Sequence, residues 1–217
     1  MVAWDAPGAG QSPDPPETFR LSDWADLFAD FIDSLQLGRP HVAGLSFGGG
    51  LALELYNRHP SVPRTLVLAS AYAGWGGSVP PKVVDDRLQL MLRNCDLPAD
   101  RWAPALIQTL LTDRASVDLV DELMSIISTF HPAATRVAMR AFADADLRDV
   151  LPTIDVPTLL LYGESDVRTG PSVWEPLHSS IRGSKLVLIP ETGHVLDVQA
   201  PERFNAEVRA FLREVGS

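Results

Sequence analysis

Cysteine is almost absent from this chain: Cys95 is the only one in 217 residues. One thiol can neither close an internal disulfide nor build a cysteine zinc cluster, which fits a reducing compartment. Its expected role is that of a small apolar filler in a helix. Basic residues are also scarce, with 18 Lys and Arg against 28 Asp and Glu, a formal net charge of −10 and a pI near 4.8. No basic cluster offsets that balance, so neither nucleic acid nor an anionic membrane is expected as a partner. No apolar stretch approaches the roughly 18 to 20 residues that cross a bilayer, and no charged-then-apolar leader opens the chain. A soluble, cytoplasmic protein is expected. Gly8-Ala9-Gly10 lacks the spacing of a dinucleotide loop, and without a metal, flavin or nucleotide motif no cofactor is expected.

The chain has enough apolar material for one sizeable core, or a core plus a smaller layer, at 46% hydrophobic and 21% charged residues. Short buried runs read as strands: the stretch up to Leu45, Thr65 to Ala69, Leu159 to Tyr162, and Lys185 to Ile189. Amphipathic segments alternate with them. The clearest carries Leu21, Trp24, Leu27, Phe28, Phe31, Ile32 and Leu35 at spacings of three and four, with Ser22 as N-cap and Gly38 as a stop. Others run over Leu51 to Tyr56, Ser172 to Ile181, and Pro201 to Val215, the last with a stripe of Phe204, Val208, Phe211, Leu212 and Val215. Between Gly74 and Asp149 no strand-like run occurs. Four amphipathic pieces, Pro81 to Arg93, Ala103 to Leu111, Val117 to Phe130 and Pro132 to Ala143, are separated there by proline or turn signals. The alternation predicts an α/β fold, a mostly parallel sheet flanked by helices, with an all-helical insertion.

Chemistry concentrates in Gly44-Leu45-Ser46-Phe47-Gly48, a G-x-S-x-G between an apolar strand and a helix. A strand that turns at once into a helix strains its middle residue and presses the residues two positions away against it, so glycine is expected at both. The turn exposes the Ser46 hydroxyl at a strand's carboxyl end and aims a helix N-terminus at the reacting atom. Two later strands also end in polar residues, one in Gly163-Glu164-Ser165-Asp166 and one in Pro190-Glu191-Thr192-Gly193-His194. In a parallel sheet these ends share one edge, so Ser46, Asp166 and His194 are expected to converge. His41, His59, His131 and His178 are expected to be structural or solvated.

The order serine, acid, histidine on such ends resembles the α/β-hydrolase fold superfamily, in its serine-hydrolase form with a helical lid. The resemblance implies a core of residues 1–73 and 150–217 and a lid (cap) of residues 74–149. It implies Ser46 as nucleophile, His194 as base and Asp166 as the acid that orients it, with Glu164 as rival; the alternative acid position, after the Thr65 strand, offers only Ala69, Ser70 and Ala71. The Phe47 backbone amide is the implied oxyanion-hole donor. Asp5-Ala6-Pro7-Gly8-Ala9-Gly10-Gln11-Ser12 matches the turn that follows the family's fourth strand, with Met1 to Trp4 as the end of that strand. On this reading the chain is N-terminally truncated relative to the family, and the second oxyanion donor is missing from it. Trp75, Trp102, Met124 and Phe130 are the implied lining of the substrate pocket.

Serine in the nucleophile place sets aside relatives that use aspartate there, the dehalogenases and epoxide hydrolases. The implied function is hydrolysis of a carboxylic ester or lactone through an acyl-enzyme. The implied partner is a small-molecule substrate, and a homo-oligomer is compatible with it. An acyltransferase, perhydrolase or C–C bond hydrolase on the same triad is an alternative. A non-catalytic ligand-binding relative, or an inactive fragment of a longer hydrolase, is another.

Overall fold

The computed structural model describes residues 1–216. Its sheet has four strands, β1 (His41–Leu45), β2 (Thr65–Ala69), β3 (Thr158–Gly163) and β4 (Lys185–Ile189), in the order β1-β2-β3-β4. All three pairings are parallel, with Val42 opposite Leu66, Leu68 opposite Leu160, and Leu160 opposite Leu186. A parallel strand covered on both faces reads as a continuous apolar run, and β2 and β3 are buried along their whole length.

Side chains alternate between two layers, as the period of two requires. Leu66, Leu68, Leu160 and Tyr162 face the larger core, shared with α1 (Leu21–Ser34), α2 (Phe47–Arg58) and α7 (Pro171–Ser180). Val67, Ala69, Leu159 and Leu161 face a smaller core closed by α8 (Leu196–Gln199) and Phe211 of α9 (Pro201–Gly216). Helices therefore lie on both faces of the sheet.

Between β2 and β3 the chain is helical throughout: α3 (Pro81–Asn94), α4 (Ala103–Leu110), α5 (Val117–Ser128) and α6 (Pro132–Asp144), with a short 3-10 turn at Ala99–Arg101. These match the four expected pieces to within two residues at every boundary. α4 and α5 bury a core of their own, built on Ala103, Ile107, Leu123 and Ile127. α6 instead sends Val137, Ala141 and Phe142 into the main core. Cys95 is the C-cap residue of α3, half-buried and free.

Two local expectations are corrected, and one element is new. Residues 1–6 form no strand; Trp4 is held by stacking on Phe28 and Phe31 of α1, with ring centroids 4.9 and 5.9 Å apart, and not by a ladder. Ser22 does not cap α1, because the helix starts at Leu21 and takes Ser22 into its first turn. Arg20 is the N-cap, and its N–H donates to the Asp23 carboxylate at 2.6 Å, an acid well placed at a helix start. The helix α8 was not anticipated, since four residues are too few to show a period.

Candidate active site

β1 ends at Leu45 and α2 begins at Phe47, so Ser46 is the entire connection between them. Reversing from strand to helix in one residue puts Ser46 at φ 53° and ψ −110°, a conformation costing a non-glycine residue on the order of 1–3 kcal/mol. The surrounding backbone holds it there. Ser46 N–H donates to the Ala69 carbonyl at 2.8 Å, and the Ser46 carbonyl accepts from the Gly49 and Gly50 N–H groups at 3.0 and 3.2 Å.

The glycines around Ser46 are not equivalent. A Cβ on Gly44 would lie 2.1 Å from the Gly48 carbonyl oxygen, whereas a Cβ on Gly48 meets nothing within 4 Å. The expectation that both relieve a clash is thus corrected: the first turn of α2 folds back over Gly44, and Gly48 faces open space. Steric demand falls instead on Gly49 and Gly50, whose added Cβ atoms would approach Ala71 Cβ to 2.5 Å and Phe142 Cε2 to 2.3 Å.

Asp166 lies three residues past β3, buried, with both carboxylate oxygens engaged. Oδ1 accepts from the Arg168 and Thr169 N–H groups at 2.8 and 3.2 Å. Oδ2 accepts from the Thr169 hydroxyl and, at 2.8 Å, from His194 Nδ1. An aspartate followed by two donating amides is a turn that its own side chain closes. His194 follows β4 and is likewise buried; its N–H donates to the Leu110 carbonyl and its carbonyl accepts from the Ser70 hydroxyl, each at 2.8 Å. The two loops interlock, because Ser165 N–H donates to the Thr192 carbonyl at 3.0 Å and a Cβ on Gly163 would lie 2.2 Å from that oxygen.

These placements bring the three residues together. His194 Nε2 is 2.8 Å from Ser46 Oγ, although 148 positions separate them. An ionised carboxylate only accepts, so Nδ1 carries the imidazole proton toward Asp166, and Nε2 is left to accept from the serine hydroxyl. Burial would raise the Asp166 pKa, but the hydrogen bond and charge of His194, the Thr169 hydroxyl and the Arg168 amide together hold it below the usual carboxylate value. For His194, burial pushes the pKa down and outweighs the opposing pull of Asp166; the Arg168 and Arg87 charges add to the downward push. The arrangement therefore keeps an uncharged imidazole beside a partly exposed hydroxyl at neutral pH.

The remaining candidates lie elsewhere. Glu164 is exposed, and its N–H is tied to the Ile189 carbonyl. His41, His59, His131 and His178 pair with Thr65, Asp26, Asp14 and Ser184. Phe47 opens α2, so its N–H belongs to the first turn that has no acceptor inside the helix. The four residues expected to line a pocket are dispersed. Trp75 is buried in the main core 5.8 Å from the Phe142 ring, Trp102 and Met124 pack in the α4–α5 core, and Phe130 is 46% exposed. A cleft of about 620 Å³ lies along Arg114, Leu119, Glu191 and Gln199 and involves none of the four. Among the described residues no group of three or more His, Cys, Asp or Glu side chains gathers as a metal site, and no helix is long and apolar enough to cross a membrane.

Sequence reasoning missed Thr169, Ser70 and the Leu110 carbonyl. Thr169, three residues after an aspartate in a turn, was a readable signal. Ser70 and Leu110 reach His194 only through the fold.

Comparison with known proteins agrees with this architecture. The profile of the Alpha/beta hydrolase family matches residues 1–207. A pimeloyl-[acyl-carrier protein] methyl ester esterase of Neisseria meningitidis serogroup A is 30% identical over 99% of this chain and 69% of its own length. A hydrolase from Pseudomonas aeruginosa superposes with a TM-score of 0.84 at 28% identity, covering 95% of this chain and 77% of that one. A thermophilic esterase from Thermogutta terrifontis superposes with a TM-score of 0.89 at 25% identity, covering 98% and 79%. With its parallel sheet, its flanking helices and this match along nearly its whole length, the chain is an enzyme of the alpha/beta hydrolase family.

Proposed function

We propose that this protein is a serine hydrolase that cleaves a carboxylic ester or lactone through an acyl-enzyme, with Ser46, His194 and Asp166 as its triad. The observation that carries the reading is the unbroken chain from Ser46 Oγ to His194 Nε2 and from His194 Nδ1 to Asp166, each link 2.8 Å. Ser46 Oγ attacks the substrate carbonyl carbon while its proton passes to His194 Nε2. Asp166 stabilises the imidazolium that forms and keeps the ring in its working tautomer. The Phe47 N–H donates to the developing oxyanion, aided by the positive end of α2. His194 then gives its proton to the leaving alcohol, and a water molecule activated by the same imidazole releases the acid.

In this reading residues 74–149 act as a lid over the serine, with α6 anchored in the main core and α4 and α5 packed on each other. The names of the relatives favour ester substrates over the acyl-transfer and C–C cleaving alternatives. The test is labelling of the purified chain with a fluorophosphonate and location of the adduct by peptide mass spectrometry. Label on Ser46 that disappears in Ser46→Ala is the expected result. Ester turnover should fall by about 10⁴- to 10⁶-fold in the same variant. A folded chain that takes no label overturns the reading.

A further inference from the structure

Two arginines meet beside the triad without a carboxylate between them. Arg87, on α3, donates from one Nη to the Tyr72 hydroxyl at 3.2 Å and from the other to the Arg168 carbonyl at 3.4 Å. The Tyr72 hydroxyl donates to that same carbonyl at 2.8 Å. The Arg87 guanidinium lies over the Tyr72 and Trp75 rings, 5.7 and 6.0 Å from their centroids. Arg168 follows Asp166 by two residues and reaches Thr109 Oγ1 on α4 at 3.0 Å, while its Nε is buried with no hydrogen-bond partner among the described residues. Tyr72, bonded to Arg87 and to the Arg168 carbonyl, has its ring centroid 6.3 Å from that of His194, and the charges of Arg168 and Arg87 are both felt at that imidazole.

Such a pair is costly in isolation. Neither side chain enters an ion pair among the described residues, although the chain carries ten more acidic than basic groups and Arg20, Arg58, Arg114, Arg136, Arg148 and Arg203 all find carboxylates. Burial holds Arg168 below its usual range, and the charge of Arg87 pushes the same way. The Asp166 charge offsets part of this at Arg168 but forms no ion pair with it, so two half-buried like charges and an unfilled donor remain without a paired carboxylate. A guanidinium offers its Nε and Nη edge as a fork that fits a carboxylate. Elsewhere the protein's net charge of −10 repels anions, so a local pair of cations whose charges reach His194 is a favourable position for an anionic group.

We propose that Arg87 and Arg168 form a carboxylate subsite, and that the preferred substrate is an ester bearing a second, ionised carboxyl group a few carbons from the scissile bond. The subsite rests on the reading of Ser46 as nucleophile. It deepens that reading by naming the substrate class. Arg87 comes from the helical insertion and Arg168 from the core, so a bound carboxylate ties the two together.

Two measurements test it. The first compares kcat/KM for monomethyl succinate, glutarate and adipate with that for methyl hexanoate, a neutral ester, and adds 4-acetoxybutanoate against butyl acetate to place the charge on the alcohol side. At least one acidic ester should exceed its neutral counterpart by about tenfold or more, the worth of a charged hydrogen bond. Arg87→Gln should bring that ratio to about one, and Arg87→Lys should restore part of it. The second measures binding of adipate to Ser46→Ala by calorimetry, where saturable binding that Arg87→Gln abolishes is expected. A role for the pair in holding the helices alone lowers both rates together and leaves the ratio unchanged, which overturns the subsite. So does Ser46-dependent hydrolysis of neutral esters with no preference for acidic ones and no adipate binding. Adipate binding without any Ser46-dependent turnover upholds the subsite and removes the hydrolase reading.

Discussion

At the scale of single residues, the turn at Ser46 separates two glycines that the G-x-S-x-G pattern treats alike. Gly44→Ala drives a methyl group to 2.1 Å from a carbonyl oxygen, so it should cost several kcal/mol, on the order of an overpacked core position, and abolish fluorophosphonate labelling. Gly48→Ala puts its methyl in open space within a helix. It should keep the label and leave stability unchanged or raise it by about 0.5 kcal/mol in chemical denaturation. The pattern of residue types could announce the serine, but which glycine was sterically forced depended on how far α2 folds back. The same holds for His194, the proposed base. The lowered His194 pKa means that the imidazole stays neutral below its ordinary value of 6.5. In the proposed mechanism activity requires that neutral form, so the acid limb of the kcat/KM profile for a neutral ester should have its midpoint below pH 6.5, and a limb centred above that value would contradict the burial argument.

At the scale of elements, the Phe142 ring links α2 to the helical insertion. Phe142 of α6 is buried against Phe47, Tyr72 and Trp75, with centroids 5.1, 6.1 and 5.8 Å away, and it fills the space beside Gly50. Phe142→Ala should cost about 3–5 kcal/mol in thermal or chemical unfolding, as other buried phenylalanines do. It should also slow labelling of Ser46, because Phe47 loses its neighbour; a variant that is merely less stable but labels at the original rate would separate the two effects. The elements themselves were legible. β2 and β4 were readable to the residue because uninterrupted apolar runs sat between turn signals, and the helices of the insertion because proline or turn residues marked their ends. What could not be read was which helix serves which core. The α4–α5 stripes and the α6 stripe look alike in sequence, yet one pair packs on itself and the other helix enters the main core. Trp102 and Met124 lie in the α4–α5 core for that reason, away from Trp75 in the main core. Nor does an apolar start such as Met1 to Trp4 reveal whether it joins a ladder or, as here, stacks on a helix.

At the scale of the whole molecule, the ionisable groups set an acid limit to stability. His194 binds its proton less readily folded than unfolded, so its contribution is intact above 6.5 and is lost as pH falls below that value. Asp26, hydrogen-bonded by Arg58 and His59, has its pKa lowered from 3.8 to about 2. Its contribution is present above 3.8 and disappears as pH falls through about 2; Asp146 and Asp166 act in the same direction. Thermal melts should therefore show Tm falling first below pH 6.5 and again below pH 3.8. A Tm that is flat between pH 7 and 5 would show that the buried His194 is not titrating as described. The placement of Ser46 and His194 has a separate consequence. Ser46 follows β1 and His194 follows β4, the strands at opposite edges of the sheet, so the two meet only when all four strands are paired. Reactivity of Ser46 toward a fluorophosphonate is thus a clock for the final stage of refolding: it should appear after helical circular dichroism has recovered, and its half-time dates the closure of the sheet.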